Sequence, residues 1–112
     1  MHDFTRLRRI LEDMASLLIK HLTPQQEYVI EAIRAVESGD AASIATSLNG
    51  IGIWGGSGSV ADLYLPETLR QRRDGTSSNV ALRKLLGELL REMQELGIAR
   101  PDVLLRHGPS LN

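Results

Sequence analysis

With 112 residues, 42% of them hydrophobic and 24% charged, the chain is long enough for one small core and too short for two domains. A formal net charge of -1 leaves no global field to draw in nucleic acid, and the apolar content excludes wholesale disorder. The absence of cysteine removes disulfides, thiolate metal sites and cysteine nucleophiles, and it fits a reducing compartment.

The opening stretch MHDFTRLRRILEDMASLLIK is interrupted throughout by arginines and acids. It therefore reads as neither a membrane span nor a leader, and the cytoplasm is the expected address. Leu7, Ile10, Leu11, Met14, Leu17, Leu18 and Leu22 recur at three- and four-residue steps, the stripe of an amphipathic helix that Asp3 or Thr5 can cap. Thr23-Pro24-Gln25-Gln26 predicts a new start, with Thr23 at N-cap, Pro24 at the first helical position and Gln26 closing a capping box. A second helix through Tyr28, Val29, Ala32, Ile33 and Val36 should stop at Gly39 in a left-handed close. Asp40 then caps a shorter helix through Ala42, Ile44, Ala45 and Leu48, which Asn49-Gly50 ends.

The next segment, NGIGIWGGSGSVADLYL, sets five glycines around the only tryptophan. Beyond it, residues 60–65 fit a short helix opened by Ser59 or a strand, and spacing does not separate the two. The run LRQRRDGTSSN is a polar connection. Ser78 or Asn79 caps a long helix whose face is Val80, Leu82, Leu85, Leu86, Leu89, Leu90, Met93 and Leu96, closed by Gly97 with Ile98 placed for a Schellman contact. Pro101 opens a tail with one further turn at 102–106 before HGPSLN frays. The expected fold is all-α: one small helical bundle over residues 1–112, with long first and last helices, a glycine-rich central loop and a partly ordered tail from residue 100.

Gly50-Ile51-Gly52-Ile53-Trp54-Gly55 spells G-x-G-x-x-G, but the dinucleotide motif needs a strand before it and a sheet around it, and a helix stands there instead. No lysine follows the glycines, so a P-loop is excluded. A weaker anion site is left: Gly55, Gly56 and Gly58 offer amides before a helix start, although Asp62 in the first turn would already occupy those donors. The structural alternative is that the glycines let Trp54 fold inward and that Ser57 or Ser59 caps a helix. As a nucleophile Ser59 lacks the G-x-S-x-G elbow, and a triad with His21 and Asp62 has nothing to assemble it. His2, His21 and His107 are too dispersed for a metal site, so no metal or cofactor is expected. Arg6, Arg8 and Arg9 lie at helical spacing from Glu12 and Asp13, and Arg70, Arg72 and Arg73 sit beside Glu67 and Asp74. Both clusters read first as solvated surface and second as contacts to an acidic partner.

The segment GGSGSVADLYL resembles a family of small bacterial proteins that share Gly-Gly-x-Gly-Ser-x-x-Asp-Leu between helices, ahead of a polar stretch and a long helix. Gly55, Gly56, Gly58, Ser59, Asp62 and Leu63 carry the match. Ser57 stands where the family usually has Met, and Val60-Ala61 where an aromatic-Asn pair is frequent. Some relatives resemble immunity proteins, which neutralise a toxin by binding it. The resemblance thus implies a non-enzymatic bacterial protein that occludes a cognate toxin. Trp54, Tyr64, Glu67, Arg70, Arg72 and Arg73 are its candidate anchors, while Gly55, Gly56, Gly58, Ser59 and Asp62 shape and cap the loop. Neither nucleic acid nor a membrane is an expected partner, and a homo-oligomer is left open. The competing expectation is a small-molecule or nucleotide-phosphate binder, or a hydrolase, that uses the loop as an anion cradle.

Overall fold

The computed structural model describes residues 3–66 and 77–111. Its elements are α1 (Thr5–Lys20), α2 (Gln26–Ser38), α3 (Ala41–Leu48), the single turn α4 (Ile51–Trp54), α5 (Ser78–Glu95) and α6 (Pro101–Leu111), with no strand among the described residues. The fold is all-α. Helix α1 lies between α2 and α5, α3 and α4 pack on α2, and α6 packs on α5.

The buried stripe of α1 is Leu7, Ile10, Leu11, Met14, Ala15 and Leu18, met by Val29, Ala32 and Val36 of α2 and by Leu82, Leu86, Leu89, Leu90 and Met93 of α5. Four residues expected in the stripes, Leu22, Tyr28, Ala42 and Val80, are exposed. Leu22 is 87% exposed because α1 has ended: Leu22 N donates to Ile19 O (3.0 Å) and Thr23 N to Leu18 O (3.2 Å), a Schellman close. Leu22 holds the left-handed position of that close at φ 56°, where glycine is usual. Val80 is 65% exposed, in the first turn of α5.

Several helix ends follow local chemistry. Gly39 closes α2 at φ 73°, and Asp40 accepts from Ser43 N at 3.3 Å to cap α3. Hydrogen bonds from the Ser43 hydroxyl and then its backbone N–H hold the Asp40 carboxyl below its usual range. Its capping contribution is therefore complete at neutral pH and is lost as pH falls through that lowered value. Gly97 (φ 72°) closes α5 in a second Schellman motif, with Gly97 N donating to Gln94 O (3.1 Å) and Ile98 N to Met93 O (2.9 Å).

Other starts differ from expectation. Thr23 does not cap α2, because its N–H and hydroxyl both turn back to Leu18 O to finish α1. Gln26 therefore closes no capping box, and α2 starts without a side-chain cap. Asp3 Oδ1 accepts from Thr5 N (2.9 Å) ahead of α1. At α5 the cap is Ser77, which accepts from Val80 N at 3.2 Å. Ser78 instead meets His21 Nε2 at 2.9 Å, tying the start of α5 to the end of α1. Asn79 grips the main chain of Leu65 on both sides, accepting from its N–H (2.6 Å) and donating to its carbonyl (2.7 Å).

The arginines at the N-terminus pair beyond their own helix as well as within it: Arg8 reaches Glu12 (3.4 Å) and Glu37 (3.6 Å), and Arg6 reaches Glu92 (3.6 Å). The tail is more ordered than one turn, since α6 runs through Pro109 to Leu111. No helix among the described residues is long and apolar enough to cross a membrane.

Candidate functional site at the glycine loop

Residues 50–63 fold back on themselves. Gly50 starts α4 in an extended conformation, and Val60 N then donates to Gly52 O (3.0 Å) and Ala61 N to Ile53 O (2.8 Å). These two bonds draw the chain after the glycines alongside α4. Residues 59–62 consequently form a turn and 63–66 have no regular secondary structure, so neither the helix nor the strand expected over 60–65 forms.

The glycines have distinct reasons to be there. A Cβ on Gly52 would lie 2.3 Å from the Tyr28 ring, so its absence lets α4 press against α2. A Cβ on Gly55 would lie 2.4 Å from the Ile51 carbonyl oxygen. Gly58 has φ +90°. Gly56 needs neither allowance: its φ is not positive, and a Cβ there meets nothing within 4 Å. Gly58→Val should therefore lower stability by at least about 1–2 kcal/mol, the cost of forcing a branched side chain to positive φ. Gly56→Val should melt with the parent. Paired thermal scans that rank the two variants the other way would overturn this account of the loop.

Trp54 is 2% exposed. Its indole N–H donates to Leu48 O (2.7 Å), and its own carbonyl accepts from His107 Nε2 (2.7 Å), with the two rings 5.0 Å apart and tilted by 46°. The expectation that Trp54 anchors a partner is corrected, because the short helix and its glycines turn the ring into the core. Tyr64 is 65% exposed. Glu67, Arg70, Arg72 and Arg73 lie outside the described residues.

Ser59 is buried, donating its hydroxyl to Gly55 O (2.5 Å) and accepting from Asp62 N (3.3 Å). It braces a turn where a helix cap was expected. His21 is bonded to Ser78, so the drawn triad of Ser59, His21 and Asp62 is not assembled. Among the described residues no cluster of three or more His, Asp or Glu side chains is placed to hold a metal. The carboxylate of Asp62 does not occupy the loop amides either, and among the described residues it has no hydrogen-bond or ion-pair partner. With no helix following the loop, Asp62 has no first turn to sit in.

Helix α6 forms the opposite wall. One groove runs between Gly50, Ile51, Gly55 and the side chains of Asp102, Arg106 and His107. A second, of about 340 Å³, continues past Gly55, Gly56, Ala61 and Asp62, again against Arg106 and His107. Ile51, between the first groove and the Tyr28 side of α4, is 87% exposed.

No family model, curated protein or solved structure matches the chain. What the site does must be read from its own chemistry.

Two members of the site carry no local signal in the sequence. Asn49, 8% exposed, donates from Nδ2 to Ala45 O and Ile98 O (both 2.7 Å) and accepts at Oδ1 from Arg100 N (2.9 Å), joining the end of α3 to the approach of α6. From sequence it reads only as a helix stop before glycine. His107 stands in HGPSLN, where glycine and proline suggest fraying. The available clue was Pro101-Asp102, a good first-turn pair for a helix.

Proposed function

We propose that this chain is a non-enzymatic binding protein of the bacterial cytoplasm, an immunity protein that occludes a cognate toxin domain. The observation that carries the binding element is Ile51. It is a large aliphatic side chain, 87% exposed, on a one-turn helix fixed from below by Trp54 and from the side by Gly52 against Tyr28. An apolar group held on a rigid support loses little conformational freedom when it enters a partner's pocket. Leu105 on α6 (80% exposed) and Tyr64 (65%) are further exposed apolar side chains. Glu67, Arg70, Arg72 and Arg73 complete the proposed set of anchors.

The toxin element comes from the Gly-Gly-x-Gly-Ser-x-x-Asp-Leu resemblance alone. The fold supports an occluder over the small-molecule alternative through the shape of the grooves. A small-molecule site buries most of its ligand, whereas Ile51, Gly56, Asp62 and Arg106 are all exposed. The amides of residues 59–63 are also committed to the chain's own acceptors, which makes most of the loop a brace.

The test is co-expression with the product of the neighbouring gene, read by co-purification and by rescue from toxicity. Ile51→Asp should keep the parental stability to within about 0.5 kcal/mol, as an exposed change does. It should weaken the complex by about 2 kcal/mol, roughly 30-fold. Stoichiometric binding of a nucleotide with no rescue by co-expression would replace this reading with the anion-cradle alternative.

A further inference from the structure

The groove between the glycine loop and α6 contains a cation and a bare amide that no described residue uses. Arg106 is exposed and forms no ion pair among the described residues, although two carboxylates border the same grooves. Asp102, one helical turn before it, is paired with Arg100 at 3.2 Å. Across the groove, Asp62 makes no bond to it. The N–H groups of Gly56, Ser57 and Gly58 likewise have no acceptor among the described residues, while the amides at 59–63 all do, and of the three only Gly56 lines the groove. Beside them, His107 Nε2 must donate to the Trp54 carbonyl at 2.7 Å, so Nδ1 is the ring's remaining polar atom. Glycine at 56 is demanded by neither φ nor packing, yet it leaves this stretch of backbone open to approach.

We propose that this groove receives an anionic group, an Asp or Glu carboxylate of the bound partner, held by the Gly56 N–H and the Arg106 guanidinium next to His107. Naming the partner as the source of the anion rests on the protein-binding reading above. The anion site itself does not depend on it. Open loop amides and a planar guanidinium suit carboxylate or phosphate oxygens equally. Solvent exposure decides between the two sources. An exposed ion pair binds a free anion only weakly, so saturation needs a large excess of it, but the pair can orient a carboxylate that neighbouring apolar contacts have already brought into place. The charged and titratable groups facing the site are Arg106, His107, Asp62 and Asp102, and Asp62 opposes the anion.

The experiment is a titration of the full chain followed by amide and side-chain NMR. Sodium acetate is used in one arm and sodium phosphate in the other, both at constant ionic strength set with chloride. The expected result is a saturable shift of the Gly56 amide and the His107 ring with acetate and with phosphate. Arg106→Gln should weaken it by about threefold and Asp62→Asn should strengthen it by about twofold, as gain or loss of one exposed charge does. Gly56→Val should abolish the shift without changing the melting temperature. A Gly56 response no larger than that of other surface amides, or one unchanged in Arg106→Gln, would overturn the proposal. Saturation by phosphate with none by acetate would overturn the carboxylate assignment in favour of a small phosphate ligand. Because no partner is present, a failed titration alongside successful toxicity rescue removes only this site. A successful titration without rescue removes only the protein partner.

Discussion

Trp54→Ala is expected to lower the free energy of unfolding by about 3–5 kcal/mol, the range for deleting a buried aromatic side chain. The indole fills the space between α3 and α6 with 2% exposure, and its N–H is the donor to the Leu48 carbonyl. Truncation removes the apolar contact and leaves that carbonyl without its donor. The His107 ring, 5.0 Å away, loses the surface it packs on. Against a stability of about 5–15 kcal/mol for a typical domain, the loss is large enough to populate unfolded chain under mild conditions. Chemical denaturation followed by circular dichroism measures it, because the variant has no tryptophan to report by fluorescence. Trp54→Phe separates the two contributions: it keeps much of the packing, loses the hydrogen bond, and should cost roughly 1–2 kcal/mol. A loss below about 1 kcal/mol for Trp54→Ala would mean that the ring is outside the core and would restore it as a partner anchor.

Asn49→Ala should be the next most damaging change, at about 2–4 kcal/mol. Its side chain makes hydrogen bonds to Ala45 O, Ile98 O and Arg100 N, and only the first lies within its own helix. Losing the other two leaves a carbonyl and an N–H at the α5–α6 junction without their partner. The effect should therefore be local as well as global. Amides of α6 around Leu104 to His107 should exchange with solvent faster than those of α1, because the docking of α6 is what Asn49 secures. Asn49→Asp is a sharper control. It keeps the acceptor for Arg100 but turns the donor into a charged oxygen facing two carbonyls, so it should be at least as destabilising as alanine. Uniform exchange rates across α1 and α6 in Asn49→Ala would show that the side chain does not hold the last helix.

Most of the helical framework was legible in the sequence because its signals are local. The apolar stripe from Leu7 to Leu18, the left-handed close at Gly39, the cap at Asp40 and the Schellman motif at Gly97 each depend on residues within one or two turns. Ser59 carries a genuine turn signal of the same range, and its hydroxyl does accept from Asp62 N. Whether that turn went on into a helix was decided elsewhere. Val60 and Ala61 give their N–H groups to Gly52 and Ile53, so the donors that a helix start would present are already spent on α4.

The site depends still more on distant residues. Trp54 became core because α6 returns to cover it with His107, more than fifty positions later. Thr23 finishes one helix when its own sequence suggests that it begins another, because Leu22 can be forced into a left-handed close that favours glycine. Arg106, with Asp102 already paired to Arg100, is left beside Gly56 only by the docking of α6 through Asn49 and His107. Sequence by itself determined an all-α chain and several of its helix ends, since capping and periodicity are properties of neighbours along the backbone. Tertiary structure alone decided which wall faces the glycine loop and which polar groups are left over there, since hydrogen bonds between segments far apart in the chain have no local spacing to announce them.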